Sequence, residues 1–105
     1  MAKFKIKSVG DFPLPVKFFA PDGTEYEITF SAKHVKIKDV AEKLNTAGET
    51  NMSDIDFMMD HAIGWDVEEE FNKENLTELL ELYPSIVLGF VSGYTAALAG
   101  QRTKN

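Results

Sequence analysis

The sequence contains no cysteine among its 105 residues, which excludes disulfide bonds, thiolate metal sites and cysteine nucleophiles and fits a reducing compartment. It also lacks both glycine-rich phosphate loops, Gly-x-x-x-x-Gly-Lys and Gly-x-Gly-x-x-Gly, so nothing supports a nucleotide cofactor. No Gly-x-Ser-x-Gly elbow is present, and neither histidine, His34 or His61, has a partner arrangement typical of a catalytic base. We therefore predict a protein that is not an enzyme and uses no cofactor or small-molecule substrate.

Positive charge is scarce in the middle of the chain. Residues 49–81 carry 11 acidic side chains against the single base Lys73, whereas residues 1–48 carry 8 bases against 6 acids. An acidic centre repels phosphate backbones. The alternating lysines of residues 3–7 are more typical of an exposed strand face than of a nucleic-acid site. We therefore expect no nucleic-acid partner.

Long uninterrupted apolar runs are missing as well. Residues 82–101 carry no charge over a length that nominally spans a bilayer. Pro84, three glycines and several hydroxyl side chains interrupt this stretch, and it lacks the leucine density that favours membrane insertion. The N-terminus carries lysines but no apolar run of the kind that secretion signals have. These patterns predict a buried helix and no membrane partner.

One group of potential metal ligands is present, and it has a simpler interpretation. Asp56, Asp60 and His61 fall close together on a predicted helix, with Asp54 nearby, and carboxylates four residues apart are neighbours on a helix. No EF-hand or zinc signature accompanies them. These side chains are more typical of the solvent-facing side of a helix, so we predict no metal site.

The first third of the chain predicts β structure. Two apolar runs, residues 16–20 and 24–30, flank a Pro-Asp-Gly segment at 21–23, a combination typical of a hairpin turn. In the second run apolar and polar residues alternate, as expected for a strand with one buried face. Pro13 and Pro15 restrict the residues around them to an edge strand or to a segment that leads into the sheet.

The rest of the chain predicts helices because apolar residues recur at spacings of three and four. The helical segments are residues 35–44, 53–63, an acidic stretch at 66–71, 72–83 and 84–101, with a loop at 45–51. The expected fold class is α+β, with an N-terminal β-hairpin and room for a third strand, followed by three to four α-helices. We expect a single domain over residues 1–105, strand-rich in 1–34, helical in 35–101 and ending in a polar tail at 102–105.

Several helix ends carry recognisable signals. Ser53, with Asp56 three residues later, forms an acidic capping box, and Asn72 is suited to cap a later helix. Gly64 is placed to end the helix that begins after Ser53. Pro84 breaks the apolar pattern near the C-terminus. Whether the helices on its two sides form one bent unit or two separate ones stays open at this point.

A protein partner is the functional signal that remains. Phe57 lies off the apolar face predicted for its helix, and flexible methionines beside aromatic residues suit varied apolar partners. The predicted partner surface comprises Phe57, Met58, Met59 and Trp65, with Asp60 and Glu68 to Glu70 at its rim. The alternative is that Met58 and Met59 fill the core, which their helical spacing favours.

Self-association through the last helix is a second hypothesis. Gly89 and Gly93 lie four residues apart, a spacing that lets two helices approach closely. In a soluble chain the same notch more often accepts a neighbour from within the fold. The hypothesis of a homo-oligomer therefore competes with ordinary intramolecular packing.

The order of these features resembles a known family. The carrying segments are the strand Ile28-Thr29-Phe30-Ser31-Ala32-Lys33-His34, then Gly64-Trp65-Asp66 and Glu70-Phe71, the block from Asn75 through Leu82-Tyr83-Pro84, Tyr94, and the ending Arg102-Thr103-Lys104-Asn105. This arrangement resembles the small tail assembly chaperones of long-tailed bacteriophages and prophages over most of residues 12–105. The block from Gly-Trp-Asp to Leu-Tyr-Pro is the more specific part of the match.

The resemblance implies a non-enzymatic role in the cytoplasm of the bacterial host. Chaperones of this family bind the long helical tape measure protein, help the tail tube polymerise around it, and are absent from the finished virion. The implied partners are thus the tape measure protein and the tail tube protein. The alternative function is a small dimerising adaptor or regulatory domain unrelated to tail assembly, which the position of the gene would distinguish.

Overall fold

The chain forms one antiparallel sheet and four helices in a computed structural model that describes residues 10–50 and 53–100. The elements are β1 (Phe12–Phe19), β2 (Glu25–Ala32), α1 (Ile37–Thr50), α2 (Asp54–His61), β3 (Ala62–Trp65), α3 (Lys73–Leu82) and α4 (Ser85–Leu98). The strand order is β1-β2-β3. The predicted α+β class with an N-terminal hairpin is therefore confirmed, including a third strand. The lysine run at residues 3–7 and the polar tail at 102–105 lie outside the described residues, and the single domain stays a prediction.

The hairpin turn follows its sequence signal. The amide of Ala20 donates to the carbonyl of Thr24 at 2.8 Å, and the amide of Gly23 donates to the carbonyl of Ala20 at 2.9 Å. Gly23 adopts a φ of 90°, a conformation that glycine reaches without steric cost. The carboxylate of Asp22 accepts the amide of Thr24 at 2.9 Å, and hydrogen bonds from the backbone and side chain of Thr24 lower the pKa of Asp22.

The two prolines of β1 lie on the side of the strand that faces away from β2, at an edge of the sheet that residues 10–50 and 53–100 form. Because Ala20 pairs with Thr24 and the register continues from there, the even-numbered residues of β1 direct their amides toward β2. Pro13 and Pro15 therefore lie where the missing N–H would face outward. The predicted edge strand is confirmed, and this edge offers few donors for pairing with another strand.

Helix α2 ends earlier than its apolar spacing predicted. Ser53 caps it as expected, since its hydroxyl accepts the amide of Asp56 at 3.1 Å, but the helix stops at His61. Residues 62–65 instead form β3 and pair with β2, so the predicted helix end at Gly64 is wrong. Backbone N–H and C=O groups of residues 62–65 bond to β2 and so are not left unpaired when the helix stops. The pairing also places the aromatic ring of Trp65 beside Phe30.

The acidic stretch predicted to be helical at residues 66–71 has no regular structure. Hydrogen bonds to neighbouring elements explain the difference. A carboxylate oxygen of Asp66 accepts the amide of Thr29 at 2.9 Å. The side-chain amide of Asn75 donates to the carbonyl of Glu70 at 2.8 Å. These bonds tie the segment to β2 and α3, and local helix propensity is too weak to compete with them. The predicted cap of α3 is confirmed, because Asn72 accepts the amide of Asn75 at 2.8 Å.

Helix α1 continues through the segment predicted as a loop. It spans Ile37–Thr50, whereas apolar spacing predicted a helix over 35–44 and a loop over 45–51. Asparagine, threonine and glycine are weak helix formers but not breakers. Extending an existing helix costs far less than nucleating one, so the polar composition does not stop it.

Pro84 separates two helices. Helices α3 and α4 meet at a bend of 111°, which resolves the alternative that the sequence left open. Proline cannot continue the hydrogen-bond ladder of the preceding helix, and Pro84 stands immediately before α4 with a φ of −59°. No single helix among the described residues is long and apolar enough to cross a membrane. The bent pair of α3 and α4, taken together, has the length and apolar composition of a membrane span.

The core lies between one face of the sheet and α4. In β1 the side chains alternate between exposed and buried, and α4 packs across the buried face. The largest fully buried side chains are Tyr94, Phe30, Phe90, Met58, Leu76, Ile86 and Val40. Phe30 meets Phe90 edge to face with ring centroids 5.2 Å apart, which joins the central strand to the last helix.

Two glycines of α4 allow β1 to approach closely. A Cβ atom at Gly89 would lie 2.9 Å from Cγ1 of Val16, and one at Gly93 would lie 3.2 Å from Cδ1 of Leu14. Both glycines therefore face the strand within the same chain. Of the two roles considered for Gly89 and Gly93, this contact corresponds to packing within the fold. Self-association of the chain stays a prediction.

Gly89→Ala is expected to lower the free energy of unfolding by about 1 kcal/mol or more, because the overlap with Val16 outweighs the gain in helix propensity. Gly93→Ala, with its looser contact, serves as the matched control and should be close to neutral. Urea denaturation of both variants measures the difference. In a Val16→Ala background the penalty at Gly89 should disappear; a penalty that persists there would refute the proposed clash.

Candidate functional site

The potential metal ligands on α2 point to different partners. The carboxylate of Asp56 lies 3.4 Å from Nζ of Lys73, and that of Asp60 lies 3.7 Å from Nζ of Lys43. The pKa of Asp56 is lowered by hydrogen bonding to Ser53 and by Lys73. Within residues 10–50 and 53–100, no three histidine or carboxylate side chains are grouped as a metal site requires. These acids serve surface ion pairs.

His61 is directed into the core. It is 2% exposed, and its Nδ1 donates to the carbonyl of Phe57 at 2.7 Å. Its ring also packs beside Tyr94 at a centroid distance of 5.4 Å. Burial lowers the pKa of the imidazole below the usual 6.5; the hydrogen bond to the Phe57 carbonyl and the charge of Asp60 oppose this shift, and Lys43 and Lys33 add to it. The residue joins α2 to α4 in its neutral form.

The depressed pKa of His61 predicts a specific pH dependence of stability. The unfolded chain takes up a proton at this residue more readily than the folded chain, so stability is full above pH 6.5 and falls as the pH drops below that value. His61→Gln should flatten the slope of the free energy of unfolding against pH, measured by denaturant unfolding at several pH values above and below 6.5. An unaltered slope in His61→Gln would contradict the assignment.

The predicted partner surface is not a continuous exposed surface. Phe57 is 5% exposed and Met58 is 0% exposed, whereas Met59 and Trp65 are half-buried and pack against the core. The expectation that Phe57 lies off the buried face is therefore wrong. Helix α2 turns Phe57, Met58 and His61 inward, because it packs against α3 and α4 and ends before residues 62 and 63 could extend the predicted face.

An apolar cleft lies instead beside Trp65, between the irregular segment 66–69 and α3. Its volume is about 260 Å³, below the ~300–1,000 Å³ typical of small-molecule sites, and we call it the Trp65 cleft. Its lining residues are Trp65, Val67, Glu69, Asn75, Glu78, Leu79, Leu82 and Tyr83. The cleft has the size to take apolar side chains of a partner rather than a whole cofactor.

The tryptophan wall of the Trp65 cleft is held in place. The indole Nε1 of Trp65 donates to the carbonyl of Glu69 at 2.7 Å. The indole also meets Phe71 edge to face at a centroid distance of 5.1 Å. A hydrogen bond and an aromatic contact together restrict the rotation of the ring. The cleft is thus preformed rather than assembled by a partner.

An exposed leucine and several carboxylates surround this cleft. Leu82 is 63% exposed at the end of α3, and Glu69 and Glu78 line the cleft itself. Further exposed acids on the same segments are Glu68, Glu70, Glu74 and Glu81. In the described part of the chain, none of these carboxylates forms an ion pair. The surface therefore combines apolar area with uncompensated negative charge.

Sequence analysis identified Trp65 and the acidic rim at 68–70 but missed the other wall of the cleft. Val67, Leu79, Leu82 and Tyr83 were not predicted as partner residues. Leu82 lies off the helical face shared by Leu79 and Tyr83, but a single exposed leucine is common on protein surfaces, so the sequence carried no specific signal for it.

A second groove, of about 410 Å³, runs between β1 and α4. It is lined by Pro13, Leu14, Pro15, Val16, Lys17, Glu27, Gly89, Ser92, Gly93 and Ala97. Its strand side lacks amide donors at the two prolines, so it is poorly suited to adding a β-strand. The polar depression near His61, of about 590 Å³, contains the Lys43–Asp60 ion pair.

Comparison with known proteins places the whole chain in one group. Residues 1–105 match the family model described as phage tail assembly chaperone. No match is found among the curated proteins or the solved structures. A match over the full length of the chain shows the family.

Proposed function

The chain belongs to the phage tail assembly chaperones, and from that premise we propose that it binds the tape measure protein in the cytoplasm of the bacterial host and assists tail tube assembly. The membership confirms the family resemblance of the sequence. The observation that carries the proposal is the family match over residues 1–105. The tail tube protein is a further proposed partner, and the chaperone leaves before the virion is complete.

The chemistry of the described residues supports a binding role. The family is generally non-catalytic. Three of the polar groups considered above for catalysis or metal binding have structural partners, namely a backbone carbonyl for His61 and lysines for Asp56 and Asp60. A tape measure protein exposes long apolar helical stripes, and a chaperone that covers them keeps such a client from aggregating.

Co-expression with the tape measure protein from the same genome tests this function. We expect the tape measure protein to become soluble and to copurify with the chaperone. An unrelated insoluble helical protein, co-expressed in the same way, is the control and should stay insoluble. If the tape measure protein stays insoluble and unbound, the proposal fails, and dimerisation of this chain in light scattering would then favour the adaptor alternative.

A further inference from the structure

We propose that the Trp65 cleft binds a helical segment whose apolar stripe is flanked by lysine or arginine. The inference deepens the proposed function and rests on it in one respect, since the tape measure protein is taken as the natural source of such a segment. The chemistry of the occupant is argued from the cleft alone.

The apolar part of the occupant follows from the walls. Leu82 is 63% exposed beside the half-buried rings of Trp65 and Tyr83. Covering this area removes apolar surface from water at about 25 cal/mol per Å². The indole is already held by its hydrogen bond to Glu69 and its contact with Phe71, so binding loses little free energy in ordering it.

The helical form of the occupant follows from what the cleft does not offer. Its α3 wall is helical, so over most of that wall a partner meets side chains rather than an open strand edge. A helix satisfies its own backbone and presents only side chains to such a wall. Apolar residues three and four positions apart would enter between Leu79 and Leu82 on one side and Trp65 on the other.

The positive charge of the occupant follows from the rim. Glu69 and Glu78 line the cleft, and segment 49–81 as a whole carries 11 acids against Lys73. That lysine is 3.4 Å from Asp56 on α2. A client with lysine or arginine beside its apolar stripe supplies the missing countercharge, whereas an acidic client is repelled.

The single tryptophan of the chain makes the binding directly measurable. The probe is a tryptophan-free peptide of about 18 residues, with leucines three and four residues apart and lysines on the remaining positions. Its match replaces every lysine by glutamate. We expect the lysine peptide to shift the emission of Trp65 saturably, with affinity falling as salt is added, and the glutamate peptide to have no effect. Equal responses to both peptides would overturn the charge assignment.

Paired variants locate the binding in the cleft. Leu82→Ser should raise the dissociation constant about tenfold. Leu88→Ser, at a leucine that is 72% exposed but does not line the cleft, should leave it unchanged. Glu69→Lys with Glu78→Lys should weaken binding to a similar degree. Glu25→Lys with Glu27→Lys carries the same charge change on the hairpin and should have little effect. Equal effects within either pair would overturn the proposed site.

The same variants separate this inference from the proposed function. If the tape measure protein copurifies equally well with the wild type and with Leu82→Ser, the function stands and the cleft assignment fails. If the tape measure protein does not copurify at all, but the lysine peptide binds and Leu82→Ser weakens it, the cleft assignment stands and the proposed function fails.

Discussion

Replacement of Tyr94 by alanine is expected to lower the free energy of unfolding by about 3–5 kcal/mol, the range for truncating a large buried aromatic ring. Tyr94 is fully buried on α4. Its ring stacks on Phe90 at a centroid distance of 5.5 Å and on Phe12 at 5.9 Å, and it also lies beside His61 on α2. One side chain thus joins the last helix to the edge strand and to α2, so its loss opens a cavity at the junction of three elements.

Tyr94→Phe separates the hydrogen bond from the packing. The hydroxyl of Tyr94 donates to the carbonyl of Lys33 at 2.7 Å, and this bond holds the segment between β2 and α1 against α4. Removing the hydroxyl leaves that carbonyl without its partner and should cost about 1–2 kcal/mol. Urea denaturation of both variants measures the two contributions. A Tyr94→Phe variant as stable as the wild type would show that the hydroxyl contributes nothing.

Titration at high pH gives a second reading of the same residue. Burial raises the pKa of Tyr94 to about 12 from the usual 10.0. The folded chain therefore resists ionisation that the unfolded chain accepts, so stability is complete below pH 10 and is lost as the pH rises toward 12. Absorbance of the tyrosinate should show one of the three tyrosines ionising late, and Tyr94→Phe should remove that late component.

Phe57→Ser is expected to destabilise the protein by about 3 kcal/mol or more, since it removes a buried ring and buries a hydroxyl in its place. Phe57 is 5% exposed, lies 4.4 Å from the His61 ring and meets Tyr94 edge to face at 6.5 Å. The sequence hypothesis predicted the opposite, because a surface residue that contacts a partner can be replaced with little change in the thermal midpoint.

Phe19 provides the matched control for this experiment. It is a phenylalanine in the same chain that is 62% exposed, so Phe19→Ser should change the thermal midpoint little. Thermal and urea unfolding of the two variants decide between the interpretations. If Phe57→Ser were as stable as Phe19→Ser, its ring would not belong to the core, and the predicted role of Phe57 in partner binding would regain support.

The correct predictions concern features with a local physical cause. Gly23 closes the hairpin because glycine adopts a positive φ, and Ser53 and Asn72 cap helices because their side chains reach amides three residues away. Pro13 identified the edge strand because proline has no amide to donate. Each of these effects acts over a few residues and is therefore visible in the sequence.

The incorrect predictions concern segments where distant contacts prevail. Residues 62–65 have an apolar pattern that suits a helix face, yet β2 offers them backbone partners. The segment 66–71 is acidic enough to begin a helix, yet Asp66 bonds to Thr29, 37 positions earlier. The spacing of apolar residues along a helix contains no information about hydrogen-bond partners that lie far away in the sequence.

The candidate site divides in the same way. Trp65 and the acids at 68–70 were predicted, because methionines beside aromatic residues with acids around them form a pattern that is visible in the sequence. Leu82 and Tyr83 belong to the site because α3 lies along the segment 66–69. Phe57 is buried and not part of an exposed surface, because the side of α2 that carries it packs against α3 and α4.

The sequence by itself determined the family, the α+β class, the hairpin with its turn, the helix caps and the concentration of negative charge in the middle of the chain. The tertiary structure decided which side of α2 is buried, that residues 62–65 complete the sheet, and that Leu82 and Trp65 border one cleft. The physical reason is the distance along the sequence over which each interaction acts. Turn geometry, capping and charge depend on neighbouring residues, whereas burial and the walls of a cleft depend on which elements pack together.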